Sequence, residues 1–415
     1  MKRREVLKGS AAFAGLLLPQ ALVANVRPCA PPSVRVRGGG EVVTACSDTV
    51  LQTVVEGLRA ASPSAPAWSE VDVGAESLNA KVHFWGEPAP GEEVASGRPP
   101  FSAPNHVSDE YNILDWPGKA HWDDVAGDWW FSGGPTGNQG SASPTIVRYR
   151  PADDRFTHWQ GRSVGQGGIW PPNGHAHSFD AADLDVKGRK IWRHLVPHSS
   201  QPWGFRLGWF NIDTHESGQF SEGGWDGTYP TISFMPDNRL LHVIRGQPGG
   251  AANIRRFSVD NMAWAMESLK GPMGRAGPSC YFRGAIYCTT DQSHFFAVQP
   301  DGTVKARAST PIVMDRAVEN TITYSILCPV GEHIYAFCGN GDIWRYDPNA
   351  DRWGDRPYDA IPWLWPHDTL SAIGWHYLKQ ACVGPVSSLG VAMLCSARRV
   401  TRQGVSPSRA LIWKP

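Results

Sequence analysis

The chain has 415 residues, enough for two or three ordinary domains or for one closed all-β architecture. Its 39 basic and 39 acidic side chains cancel, and no long Lys/Arg run follows the first residues, which excludes the electrostatic attraction that nucleic-acid binding depends on. Only 19% of residues are charged, whereas 44 Gly, 34 Pro and 19 Trp suit short strands, tight turns and large aromatic fillers, so the composition predicts an all-β fold.

At the N-terminus Lys2, Arg3, Arg4 and Lys8 precede an apolar stretch, Ala11 to Leu18, that Pro19 ends. The stretch is well short of the roughly 20 residues a helix needs to cross a bilayer, so residues 1–24 are expected to be a cleaved leader, with no membrane span left after its removal. The Arg3-Arg4 pair ahead of this stretch resembles a twin-arginine export signal, which implies a periplasmic or secreted protein. Residues 25–66 are expected to form a tether with one helix, Asp48 to Ala61, because Val50, Leu51, Val54, Val55 and Leu58 follow helical spacing.

Beyond it, short aromatic and aliphatic runs recur about every 45 to 60 residues, the range of a four-stranded propeller blade. They are Gly127 to Phe131, Arg189 to Trp192, Arg239 to Val243, Gly284 to Cys288, His333 to Phe337 and Gly390 to Leu394. Most follow another β-like segment and a turn, such as Pro230 to Met235 with Pro236-Asp237-Asn238. The expected fold is a six-bladed β-propeller over residues 67–415, with seven blades as the alternative if Lys81 to Trp85 belongs to another blade. Ala410 to Lys414 reads as a third strand after which the chain stops, so Ala67 to Asp72 is expected to supply the fourth and close the last blade.

Gly133-Gly134, then Tyr149, then Trp159 is similar to the kelch repeat, and Ile343 to Pro348 leading to Trp353 is a second good copy. The resemblance is to the kelch-like propeller of the galactose-oxidase central domain, and it implies four-stranded antiparallel blades. That family's copper-radical chemistry is not implied, because no Tyr-Cys crosslink partner or adjacent Tyr-His ligand pair is found.

Eight cysteines in an exported chain invite pairing. Cys280 with Cys288, Cys328 with Cys338 and Cys382 with Cys395 each bracket a turn, and Cys29 with Cys46 is a fourth possibility. The starts of the candidate innermost strands bring together His121, His175, His177, Tyr229, Asn320 and His376, a set able to line a recognition pocket near the axis. His175 and His177 alternate on one strand face and are the candidate ligands of a divalent metal in the central channel. Trp170 and Trp225 lie in loop-like contexts suited to stacking on sugar rings. The leading expectation is a glycan-binding or surface-interaction module. A polysaccharide lyase is the alternative, in which Arg245 neutralises a uronate carboxylate and His177 or Tyr229 removes the adjacent proton; a metal-dependent oxidase is the third. No P-loop, Cys-x-x-Cys ribbon, His-Glu-x-x-His helix or nucleophile elbow is present.

Overall fold

A computed structural model describes residues 50–71, 82–84, 118–133, 145–152, 155–160, 181–195, 206–221, 230–246, 250–265, 267–311, 325–338, 341–361, 381–396 and 409–415. In chain order, helix α1 (Val50–Ala61) precedes β1 (Ala67–Val71) and β2 (Val82–Phe84). Five groups of strands follow: β3 (Gly118–Asp123), β4 (Asp128–Gly133), β5 (Thr145–Arg150) and β6 (Arg155–Gln160); β7 (Ala182–Asp185), β8 (Lys190–Leu195), β9 (Arg206–Asn211) and β10 (Ser217–Ser221); β11 (Thr231–Met235), β12 (Leu240–Arg245), β13 (Ala251–Ser258), β14 (Ala263–Trp264) and β15 (Leu269–Met273); β16 (Ala276–Phe282), β17 (Ala285–Thr290), β18 (Phe295–Val298) and β19 (Val304–Arg307); and β20 (Ile326–Val330), β21 (His333–Phe337), β22 (Asp342–Asp347), β23 (Arg352–Trp353) and β24 (Asp359–Ala360). The chain ends with β25 (Ala381–Val386), β26 (Val391–Ser396) and β27 (Arg409–Lys414).

Each group is an antiparallel meander, and all six recurrent runs of the sequence form second strands: β4, β8, β12, β17, β21 and β26. The first strands pack side by side in the order β3, β7, β11, β16, β20, β25, and β25 pairs in parallel with β3. This is the architecture of a β-propeller. β1 pairs antiparallel with β27, Trp68 opposite Trp413, and so adds a fourth strand beside β25, β26 and β27. β2 pairs in parallel with β6, at the outer edge of the sheet that begins with β3.

Apolar cores fill the seams between consecutive sheets rather than one common centre. Trp130, Ile146 and Trp159 meet Leu184, Ile191 and Phe210 across one seam, and Trp192 and Leu207 meet Ile232, Leu241 and Phe257 across the next. The seam where β25 meets β3 also takes α1, whose Leu51, Val55 and Leu58 are buried against Trp129, Val147, Val391 and Ile412. At about 1.5–3 kcal/mol for each fully buried aliphatic side chain, this docking makes the helix part of the core. Lys414 Nζ donates to the Ser62 and Ala65 carbonyls at 2.8 Å, placing a cation at the helix C-terminal end. Trp68 and Trp413 both donate their indole N–H to Asp359 Oδ2, at 2.8 and 2.7 Å, tying β1 and β27 to the neighbouring sheet.

Charged clasps reinforce two seams. Arg189, in the turn between β7 and β8, holds both oxygens of the buried Asp123 at 2.7 and 2.6 Å and also pairs with Asp213 at 2.9 Å. Arg239 repeats this one sheet further on, with the buried Asp185 at 2.9 Å and Asp260 at 2.7 Å. Both arginines have left-handed backbone (φ 54° and 55°) at the turn position that Gly127 and Gly390 occupy in other sheets. That conformation costs a side-chain-bearing residue energy, which the bidentate ion pairs offset.

None of the three described cysteine pairs expected from the sequence is bonded, and register separates the thiols of two of them. Register sets Cys280 opposite Tyr287 and Cys288 opposite Ser279, so the two thiols face different seams. Cys328 lies opposite Tyr335, in a different core from Cys338. Cys382 and Cys395 are directly opposed, yet all six described cysteines are free thiols. Cys29 and Cys46 lie outside the described residues.

Two predictions follow from packing and burial. A Cβ at Gly384 would stand 2.3 Å from the Ala120 carbonyl oxygen, where β25 meets β3, so Gly384→Ala should force the seam open. The expected loss is about 1–3 kcal/mol in denaturant unfolding. His242 is fully buried, and burial, with Arg256 adding to it against the bond to the Leu240 carbonyl, pulls its pKa down from 6.5 to about 4. The unfolded chain therefore binds the extra proton between these values. Stability is held above pH 6.5 and falls as the pH drops towards 4, and His242→Phe should flatten that part of the stability curve.

Candidate functional site

The first strands converge on a cavity of about 650 Å³, a volume in the range of small-ligand sites. Every first strand, or the turn after it, contributes to its lining. Trp122, Phe234 and Tyr281 supply aromatic surface, and Leu184, Leu327, Pro236, Pro329 and Pro385 extend the apolar wall. Asp124, Lys187 and Ser387 add polar groups, and Val125, 72% exposed, stands among the turn residues. The cavity thus lies towards the turns that leave the first strands.

Polar groups at the inner end of the cavity come from four sheets. Lys119 and His121 are two residues apart on β3 and share a face. Lys119 is buried, and its ammonium donates to Asp183 Oδ2 (3.3 Å), Ser233 Oγ (3.1 Å), the Ser279 carbonyl (3.4 Å) and the Ile232 carbonyl. It therefore reaches from β3 to β7, β11 and β16. Ser279 Oγ lies 2.5 Å from Thr231 Oγ1 and 2.7 Å from Ser233 Oγ, completing a hydroxyl cluster behind it.

Asp183 is the centre of charge. It accepts from the Leu184 N–H (2.7 Å), the Phe234 N–H (2.9 Å) and Lys119, and His121 Nδ1 is 3.0 Å away. Burial alone would raise its pKa, but Lys119, then His121 and the Phe234 N–H, outweigh burial and hold the carboxyl well below the usual carboxylate range. The carboxylate is therefore ionised, and its partners are oriented around a fixed negative charge. His121 Nε2 is buried and has no hydrogen-bond partner among the described residues. His121 thus lines the cavity with its Nδ1 held beside Asp183 and its Nε2 turned away from open solvent.

Of the residues singled out from the sequence, the structure brings His121 to this site. Arg245 ends β12, opposite Asn253, at the far end of the hairpin from the β11–β12 turn. It lies in a cationic neighbourhood: burial and the charges of Arg193 and Arg245 pull the pKa of His194 down to about 3. Trp170, His175, His177, Trp225, Tyr229, Asn320 and His376 lie outside the described residues. The described residues contain no group of three or more His, Cys, Asp or Glu side chains suited to a metal. Sequence reasoning missed Lys119 and Asp183. Their signal is the alternation of Lys119 with His121 and of Asp183 with Asp185, two pairs of ionisable residues in short strands otherwise dominated by buried residues.

No family model and no curated protein matches the chain. Among solved structures, the WD40 repeats of RRP9 are similar at 8% identity with a TM-score of 0.43, over 72% of this chain and 94% of that one. No described helix is long and apolar enough to cross a membrane.

Proposed function

We propose that this protein is an exported, six-bladed, kelch-like β-propeller that binds a glycan in its axial cavity. The observation that carries the reading is the cavity itself: about 650 Å³, lined from every first strand, with aromatic walls and a charged, hydrogen-bonding inner end. Flat rings such as Trp122, Phe234 and Tyr281 stack on the apolar faces of sugars, while Asp124 and Lys187 supply polar groups that suit their hydroxyls. Six blades are supported by the six second strands, by the contact of each first strand with the next, and by β2 lying as an added strand beside β6. Closure of the ring is supported by the β1·β27 and β25·β3 pairings. The kelch-like reading draws on the burial of Tyr149 and Trp159, and export draws on Arg3 and Arg4.

A second reading, a polysaccharide lyase acting on a uronate, draws on the cationic surroundings of Arg245. It predicts the appearance of an absorbing unsaturated uronate when the protein is mixed with a polyuronate.

The glycan reading is tested by calorimetry against neutral oligosaccharides and oligouronates, with Val125→Arg alongside. Val125 is 72% exposed, so the larger charged side chain should leave folding intact while obstructing the cavity. A bound glycan should lose roughly tenfold or more in affinity for the variant, about 1.4 kcal/mol. Equal binding by Val125→Arg, or no binding by any glycan, contradicts the axial site.

A further inference from the structure

We propose that the cavity is blind, open at the turns after the first strands and closed at its inner end, so that it takes the end of a glycan chain and not a stretch within one. This deepens the glycan reading and rests on it and on the ring of six sheets.

All six first strands, or the turns after them, line the cavity, so protein encloses it on every side. Exposure along it runs one way. At the turns Asp124, Lys187, Pro236 and Ser387 are exposed, and Val125 is 72% exposed. Further in, Lys119, Ala120, Cys280 and Leu327 are buried. Lys119 and Trp122 both line the cavity from β3, about 10 Å apart along the strand at roughly 3.3 Å per residue, which makes it a shaft and not a shallow dish.

The shaft ends on a packed polar layer. Ser233 and Ser279 immediately precede Phe234 and Cys280, which line the cavity from β11 and β16, and both serines are fully buried. Their hydroxyl oxygens are 2.7 Å apart, and Thr231 Oγ1 lies 2.5 Å from Ser279 Oγ. Lys119 Nζ crosses to the same layer and donates to Ser233 Oγ at 3.1 Å and to the Ser279 carbonyl at 3.4 Å. In the order of the first strands β16 stands opposite β3, so this side chain spans the axis. Groups at hydrogen-bond distance leave no gap for a chain to pass. Parting them would strand the buried ammonium and its partner Asp183, which costs free energy. A stretch within a polysaccharide continues in both directions, whereas a shaft with one mouth admits a terminus. Binding is therefore set by the number of chain ends and not by chain length.

The test is calorimetry with linear α-glucan, β-glucan and polyuronate, each as a short oligosaccharide and as a long polymer of the same linkage, with Val125→Arg beside the unaltered protein. For a glycan that binds, the expected result is the same number of protein molecules per chain at both lengths and an affinity per chain alike within about threefold. Val125→Arg should weaken both roughly tenfold or more. A number of bound proteins that grows with polymer length overturns end-on entry, even where Val125→Arg weakens binding. Binding that a folded Val125→Arg leaves unchanged overturns the cavity as the site. If that variant does not fold, the comparison of lengths in the unaltered protein decides alone. Binding by none of the glycans overturns the glycan reading itself, and the inference with it.

Discussion

One buried ammonium ties the centre of this propeller together. Lys119 leaves β3 and finds its acceptors on β7, β11 and β16: a carboxylate, a hydroxyl and two main-chain carbonyls. A charge taken out of water is tolerated only where its partners restore what hydration supplied, and here they do so from three other sheets. The consequence is geometric as well as energetic. If β7, β11 or β16 shifts, Lys119 loses a partner, so the spacing of the first strands and the charged end of the cavity are set by the same contact.

Outward from that point, the seams repeat one scheme with different chemistry. Aromatic and aliphatic side chains fill each seam, and polar clasps close several at their rims. Arg189 and Arg239 do this with aspartates of the preceding sheet; Tyr281 O–H does it with Asp237 at 2.9 Å. Where β25 meets β3, a parallel strand pairing and a docked helix join the sheets. The sheet that β1 and β27 share thus carries extra apolar cover from α1, a hydrogen bond from Lys414 to the end of that helix, and two to Asp359 of the neighbouring sheet.

Much of this was legible in the sequence, for a physical reason. Second strands are buried on both faces, so Gly127 to Phe131 or His333 to Phe337 stand out as compact apolar runs, and their spacing carries the architecture. The pairing of Ala67 to Val71 with β27 was legible because both segments alternate in the manner of strands and each carries a Trp, Trp68 and Trp413, that the register sets opposite one another. The cysteine pairs were legible only as turns bracketed by thiols. Register, which a one-residue shift reverses, separates Cys280 from Cys288, and sequence spacing does not carry it. The cavity was only half legible. His121 was visible as a histidine on an inner strand, whereas its partner Asp183 lies 62 residues away and meets it only because β3 and β7 pack side by side.

The most direct test of the account is a double-mutant cycle on Lys119→Met and Asp183→Asn, measured by equilibrium unfolding in denaturant. If the ammonium organises the first strands, Lys119→Met strands a buried carboxylate and costs about 3–5 kcal/mol. The double variant should then lose clearly less than the sum of the single losses, with a coupling of about 0.5–3 kcal/mol. Single losses below about 1 kcal/mol that simply add would contradict the central place given to Lys119.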